Sequence, residues 1–178
     1  SMIGGPHASF WPFHRFMNQF GSPNNMGIGQ ICWNPRIWMD AITFGWTIEA
    51  DINEETECVF IWGTNPAESD NSSWWQAVRN IGKSATPLVV IDPRYTRTAS
   101  CADLWIAPKT GTDCALALGF LNVIIEEGLY DRDFVEEWCH GFDELAEHVK
   151  KYTPDYVADF CGVPADDVRR AARLLGQA

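Results

Sequence analysis

The sequence predicts an α/β fold: a doubly wound, mostly parallel sheet, a helical C-terminal part, and an aromatic-rich, irregular N-terminal segment. Three observations carry this expectation. The apolar runs Val59-Phe60-Ile61-Trp62 and Leu88-Val89-Val90-Ile91 are short and continuous, as strands covered on both faces of a parallel sheet are. Each run is followed by a turn and then by a helical return, which makes βαβ units with right-handed crossovers. From Asp131 onward the pattern is helical throughout.

Length and composition set bounds. A chain of 178 residues, 46% hydrophobic and 21% charged, can bury the core of one soluble domain, with or without an appendage. We divide it into residues 1–50, an edge segment packing on parts outside the chain, and 51–178, the incomplete α/β domain. The nine Trp and ten Phe crowd the first half, especially the stretch from Phe10 to Trp46, where charges are few. Such surface is suited to being covered by something outside the chain.

A net charge of −11 argues against general nucleic-acid or anionic-membrane binding. The charge is uneven. Arg79, Lys83, Arg94, Arg97 and Lys109 stand against only Asp92 and Asp103, whereas Glu126 to Asp167 is strongly acidic with Arg132, Lys150 and Lys151 alone opposing. The acidic half reads as solvated helix faces, and the basic island suits an anionic ligand. No run reaches transmembrane length, and the N-terminus lacks the layout of a signal peptide. Ser1-Met2 reads as a cloning remnant, so no compartment is assigned.

In chain order, Ser9 caps a helix carrying Phe13, Phe16, Met17 and Phe20, ended by Gly21 to Asn25. A glycine-rich run, Met26 to Ile31, delivers Cys32. Asn34 then caps a helix beginning at Pro35, with Ile37, Trp38, Ala41, Ile42 and Gly45 as its apolar stripe. Trp38 on that stripe reads as core. Cys58 to Trp62 is the first strand. Asp70, Asn71 or Ser72 caps a helix through Trp74, Trp75, Val78 and Ile81, closed by Gly82. Leu88 to Ile91 is the second strand, Ala99 to Ala102 a turn, and Leu104 to Ala107 the third strand. Thr112 or Asp113 caps a long helix through Glu127. Asp131 caps a helix to Gly141, and Phe142 or Asp143 starts one to Tyr152. Thr153-Pro154 opens another closed by Gly162, and Val168 to Gly176 is the last. The chain stops just past that helix, as a trimmed piece of a longer protein would.

Chemistry concentrates in four places. Cys32 lies just ahead of a helix N-terminus, where the dipole and free N–H groups favour a thiolate; by itself, a lone cysteine is more often structural. Gly27-x-Gly29-x-x-Cys32 lacks the preceding strand and third glycine of a nicotinamide-dinucleotide motif. The loops after the three strands are the other places, because ligands of open α/β sheets sit outside the carboxyl ends of the strands. Taken singly, Asp92-Pro93 is also a turn and Asp113 also a helix cap. The six cysteines contain no C-x-x-C pair, which excludes a zinc ribbon or iron–sulfur ligand run within the chain; Cys58 and Cys114 read as small core residues. His140 and His148 read as solvated, and neither His7 nor His14 is assigned proton transfer.

The ordered set of loops resembles the molybdopterin oxidoreductases of the dimethyl sulfoxide reductase family. The resemblance is carried by Trp62-Gly63-Thr64-Asn65-Pro66-Ala67-Glu68-Ser69, by Val90-Ile91-Asp92-Pro93-Arg94-x-Thr96-x-Thr98-Ala99, and by Ala102-Asp103-x-x-Ile106-x-Pro108-x-Thr110-Gly111-Thr112-Asp113. Gly128-Leu129-Tyr130-Asp131-x-x-Phe134-Val135 and Gly162-Val163-Pro164 follow. It covers the chain from about Gly21.

The resemblance implies a Rossmann-like domain of a catalytic subunit that binds one pterin guanine dinucleotide. The cofactor would be bis-molybdopterin guanine dinucleotide with molybdenum or tungsten. The implied cofactor contacts are Gly63, Thr64, Asn65, Glu68, Ser69, Ile91, Asp92, Arg94, Gly111, Thr112 and Asp113. Glycines let backbone approach phosphate, helix starts suit a diphosphate, a carboxylate accepts from guanine, and Arg94 pairs with phosphate or stacks. Cys32 takes the position that supplies the metal ligand, for which a soft thiolate is suited. It is followed by Trp33, where formate dehydrogenases of the family have His. That departure disfavours formate and leaves other redox conversions of a small substrate, or a tungsten hydratase. A [4Fe-4S] domain is implied upstream, further domains downstream, and an iron–sulfur electron-transfer subunit as partner; the isolated chain is expected to be inactive. The alternative from another class is a stand-alone nucleotide-binding module docking through its Trp-rich N-terminus.

Overall fold

A computed structural model describes residues 10–23, 33–46, 52–69 and 73–178. Cys32, the glycine-rich run before it, and the expected caps Ser9, Asp70, Asn71 and Ser72 lie outside the described residues. The chain divides into two compact units, Ser1–Asp51 and Ile52–Ala178.

The first unit holds helices α1 (Phe10–Phe20) and α2 (Trp33–Phe44). Gly21 closes α1 with φ +76°, and the Ser22 N–H reaches back to the Met17 carbonyl at 3.2 Å, a glycine-stop geometry. Helix α2 begins at Trp33, two residues before the expected Pro35. Gly45 ends it with φ +80° and its N–H on the Ala41 carbonyl, so Gly45 is the stop rather than part of the apolar stripe. Trp38 is 67% exposed and Ile42 is exposed, which corrects the core reading of Trp38. A unit of this size covers only one side of its helices, here the side of Ile37 and Ala41.

In the second unit β1 (Val59–Trp62), β2 (Leu88–Ile91) and β3 (Leu104–Ile106) form a parallel sheet in the order β1-β2-β3. The register pairs Ile61 with Val90 and Val90 with Trp105. Strand β2 is buried along its whole length because alternate residues feed two cores. Leu88 and Val90 join Val59, Ile61, Val78, Ile81 and Ala99 beneath α4 (Ser73–Ile81). Val89 and Ile91 join Leu104, Ile106, Leu116, Phe120, Val157 and Val168 under the C-terminal helices. The sheet is thus parallel with helices on both faces. Its strand order shows no reversal among the described residues.

Between β1 and α4 lies the short helix α3 (Pro66–Ser69), and the turn before β3 is a 3-10 helix, Ala99–Cys101. The remaining helices are α5 (Asp113–Glu126), α6 (Arg132–Trp138), α7 (Phe142–Val149), α8 (Pro154–Cys161) and α9 (Ala165–Gly176). The Asp131 carboxylate caps α6 by accepting from the Phe134 N–H, and the Thr153 hydroxyl caps α8 by accepting from the Tyr156 N–H. Helix α6 stops at Trp138 rather than Gly141 because Cys139 is already extended (φ −99°, ψ 142°); Gly141, at φ +79°, instead opens α7. Helix α7 stops at Val149 rather than Tyr152: the Lys150 N–H turns to the Glu147 carbonyl and the Tyr152 N–H to the Val149 carbonyl, three-residue turns in place of the helical pattern. Cys58 is half-buried, with its thiol pKa raised by burial. Cys114 is exposed on α5, against the core expectation, and Cys161 is the buried cysteine among the described residues. His140 and His148 are exposed as expected.

Candidate functional site

The three parallel strands deliver their following loops to one end of the sheet, which is what gathers residues 63–69, 91–94 and 111–113. At the end of β1, the Gly63 N–H donates to the Ile91 carbonyl at 2.9 Å, and at the end of β2 the Asp92 N–H donates to the Ile106 carbonyl at 3.1 Å. The ladder therefore continues one step beyond each strand and fixes where the loops depart. Gly63 (φ +63°) and Gly111 (φ +85°) both need the left-handed conformation, and nothing lies within 4 Å of where a Cβ would stand. Each glycine thus turns the chain and leaves open space above its backbone.

The first loop folds straight into α3. The Asn65 carbonyl accepts from the Glu68 and Ser69 N–H groups at 3.0 and 2.9 Å, and from the Ser69 hydroxyl at 2.9 Å. The Asn65 side-chain carbonyl accepts from the Thr98 hydroxyl at 2.7 Å, and the same hydroxyl accepts from the Ala67 N–H at 3.2 Å. The Asn65 amino group is buried without a partner among the described residues. Thr64, Glu68 and Ser69 are exposed.

In the second loop the Asp92 carboxylate accepts from the Arg94 N–H at 2.8 Å, an Asx turn that holds Pro93 outward. The Trp105 indole donates to the Asp92 carbonyl at 2.9 Å. Arg94 reaches across to Glu68 at 3.6 Å, both groups well exposed, so the pair contributes little stability and both charges stay available. The Ile91 side chain is fully buried in the core and its carbonyl is taken by Gly63; what Ile91 contributes is the position of the loop.

In the third loop the Thr112 hydroxyl donates to the Lys109 carbonyl at 2.6 Å and does not cap α5. Asp113, the first residue of α5, accepts at Oδ1 from the Trp62 indole N–H at 2.7 Å. Lys109 ties this loop to α8: its N–H donates to the Cys161 carbonyl at 2.8 Å, and its Nζ donates to the Asp159 and Phe160 carbonyls at 3.3 and 3.5 Å.

The basic island is thus divided. Arg94 sits at the strand ends, Lys109 serves the C-terminus of α8, and Arg97 lies over the Trp75 ring at 5.5 Å. Sequence reasoning missed Trp62, Thr98 and Lys109 as parts of this assembly, although all three stood inside the quoted motifs. No group of three or more His, Cys, Asp or Glu side chains is placed to hold a metal among the described residues, which do not include Cys32. A cavity of about 510 Å³ lined by Tyr130, Arg132, Glu136, Cys139, His140 and Phe142 contains none of the predicted site residues. No described helix is long and apolar enough to cross a membrane.

Comparison with known proteins gives the family. The family profile described as molybdopterin oxidoreductase matches residues 4–177. Acetylene hydratase of Syntrophotalea acetylenica is 38% identical over 94% of this chain and 23% of its own length. Formate dehydrogenase H of Escherichia coli (strain K12) is 43% identical over 71% of this chain and 18% of its own. The solved structure of acetylene hydratase from Pelobacter acetylenicus superposes with a TM-score of 0.73 at 38% identity, covering 92% of this chain and 22% of that one. This chain therefore spans under a quarter of the length of these relatives. With the profile covering nearly every residue and the loop motifs in order, the chain belongs to the molybdopterin oxidoreductase family, a family of enzymes built around a molybdenum or tungsten pterin cofactor.

Proposed function

We propose that the chain is part of the catalytic subunit of a molybdenum- or tungsten-dependent enzyme, that its three strand-end loops hold one pterin guanine dinucleotide, and that Cys32 is a ligand of the metal. The observation that carries this reading is the convergence of three motif loops at the carboxyl end of one parallel sheet. The residues there fit a nucleotide tail. Gly63 and Gly111 leave backbone open to a phosphate. Arg94 offers an exposed guanidinium, and Glu68, Asp92 and Asp113 offer carboxylates to guanine's N–H donors. The Asn65 amino group, without a partner among the described residues, adds an orphaned donor at the same strand end. Thr64, Ser69 and Thr112 supply hydroxyls beside them.

When bound, the pterin and metal supply the electron- or atom-transfer chemistry. This chain's residues would bind and orient the nucleotide end, and Cys32 would hold the metal as a thiolate. The cofactor in this reading is the bis-pterin guanine dinucleotide form. The doubly wound, Rossmann-like sheet would be completed by strands outside the described residues, with a [4Fe-4S] domain and an electron-transfer subunit serving the redox reaction. Residues 1–50 would form the metal-ligand segment, their exposed aromatics covered by the enzyme's other domains.

Trp33 beside Cys32 favours a substrate other than formate. A second reading within the family is a tungsten hydratase, supported by similarity to acetylene hydratase over 94% of this chain. The test is metal and nucleotide analysis of the full-length protein, followed by a substrate screen. We expect molybdenum or tungsten with guanine nucleotide in the ratio a bis-pterin site requires. Hydration without net electron transfer would select the hydratase. A protein devoid of guanine nucleotide would sink the cofactor assignment, and micromolar guanine-nucleotide binding by the chain alone would favour the stand-alone module.

A further inference from the structure

We propose that Thr98 is a positioning residue for the nucleotide site, clasping the first loop to the second and fixing which end of the Asn65 amide faces inward. The inference rests on the nucleotide-binding reading above and adds a residue to it.

Thr98 is 0% exposed, and a buried hydroxyl in an apolar core is costly unless its hydrogen bonds are made. Its partners lie 31 and 33 residues away, both in the first loop. A hydroxyl has one proton and two lone pairs. Thr98 Oγ1 accepts from the Ala67 N–H, one of the donors that the first turn of α3 leaves without a helical partner. Its single proton is then donated to Asn65 Oδ1 at 2.7 Å. That donation distinguishes the two ends of the Asn65 amide: the carbonyl faces Thr98, and the amino group is the end left without a partner among the described residues.

Thr98 is itself rigidly held. It leads the 3-10 helix, where the Cys101 N–H donates to its carbonyl at 3.0 Å. The adjoining Ala99 N–H is tied to the Thr96 hydroxyl at 3.0 Å. Ala67 and Ala99 are both buried in the core cluster that contains β1 and β2. The second loop thus carries a fixed hydroxyl that fixes the turn Asn65–Ser69, and with it Glu68 opposite Arg94. The exposed Arg94–Glu68 pair at 3.6 Å joins the same two loops without the geometric specificity of the buried clasp.

The test uses the full-length polypeptide carrying this chain, purified with its cofactor, as Thr98→Val, Thr98→Ser and Val78→Ala. Guanine nucleotide retained per chain is followed over a timed incubation below the unfolding temperature, and Tm is recorded for each. We expect Thr98→Val to release guanine about 10-fold faster, with Thr98→Ser within about 2-fold of wild type, because only the valine leaves a buried donor and acceptor unpaired. Val78→Ala, a cavity in the same core, is expected to lower Tm while releasing guanine at the wild-type rate. Unchanged release from Thr98→Val, no rescue by serine, or equal acceleration by Val78→Ala overturns the proposal. Wild type without guanine overturns the nucleotide reading and this one together; guanine-loaded wild type with unchanged Thr98→Val release overturns this one alone. Should Thr98→Val fail to fold, amide exchange on wild type decides: protection of the Ala67 N–H comparable to β2 supports the clasp, and free exchange overturns it.

Discussion

The Trp62 indole N–H donates to Asp113 Oδ1 at 2.7 Å across 51 residues of sequence, tying the end of β1 to the first residue of α5. Trp62 also meets Phe120 edge-on at 5.7 Å. Two loops that each looked like an independent ligand contact are therefore one unit. The consequence is a separation of roles. Trp62→Phe keeps a ring against Phe120 and removes the donor, so it should lower stability by about 1 kcal/mol in chemical denaturation. Asp113→Asn keeps an acceptor for the indole and removes the charge that we propose accepts from guanine, so it should weaken guanine-nucleotide binding about 10-fold, close to 1.4 kcal/mol. Equal effects of the two changes on binding would show that Asp113 acts only through Trp62.

At Gly119 two effects compete. Replacing a helical glycine by alanine ordinarily gains about 1 kcal/mol. Here the added Cβ would stand 2.8 and 3.1 Å from the two γ-methyls of Val157 and 3.2 Å from its Cβ, where α5 crosses α8. Overpacking of that kind costs about 1–3 kcal/mol, so Gly119→Ala should destabilise the protein. Gly119→Ala combined with Val157→Ala should recover part of the loss. A stabilised Gly119→Ala would mean that the helices separate more easily than this packing implies.

Glu127 and Arg173 form a bidentate pair at 2.8 Å for each bond. The Arg173 hydrogen bond holds the Glu127 carboxyl below the ordinary glutamate range. A depressed folded-state pKa contributes stability that is present above the unfolded pKa and lost as pH falls through the folded one. The contribution is therefore full above the usual glutamate value, is lost on its acid side, and is gone in strong acid. Carboxyl NMR titration should find Glu127 titrating below the exposed glutamates, and Arg173→Met should return it to their range. An unshifted Glu127 would mean that the pair does not persist in solution.

Cys32 is tested in the full-length protein. Cys32→Ala should lower the number of sulfur ligands in the metal's X-ray absorption spectrum by one, leaving those of the pterins. Activity should fall by more than the 10–100-fold, roughly, that follows loss of an outer-shell partner. Cys32→Ser with unaltered coordination and turnover would remove the residue from the metal site.

Local chemistry made much of this legible in the sequence. Leu88 to Ile91 forms a strand with the expected bounds because an unbroken apolar run suits a strand buried on both faces. Asp131 and Thr153 cap the helices expected of them, because a cap depends only on the next three residues. Helix ends were read less well. Cys139 is extended and the chain tightens into three-residue turns at Lys150 and Tyr152, so α6 and α7 both stop three residues early. Cys114 was misread for another reason. Cys114 and Cys161 both sit in apolar helical sequence, and which one faces the core depends on the packing of α5 against α8 and α9.

By itself, the sequence determined the parallel α/β pattern, the order of the loops and the family, because strand runs, turn residues and motifs are short-range properties. Tertiary structure alone decided that Trp62 meets Asp113, that Thr98 clasps Asn65 and Ala67, and that Lys109 serves α8. Those contacts join residues 31 to 51 positions apart. Their formation depends on parallel strands delivering separate loops to one edge, a long-range geometry that local pattern does not encode.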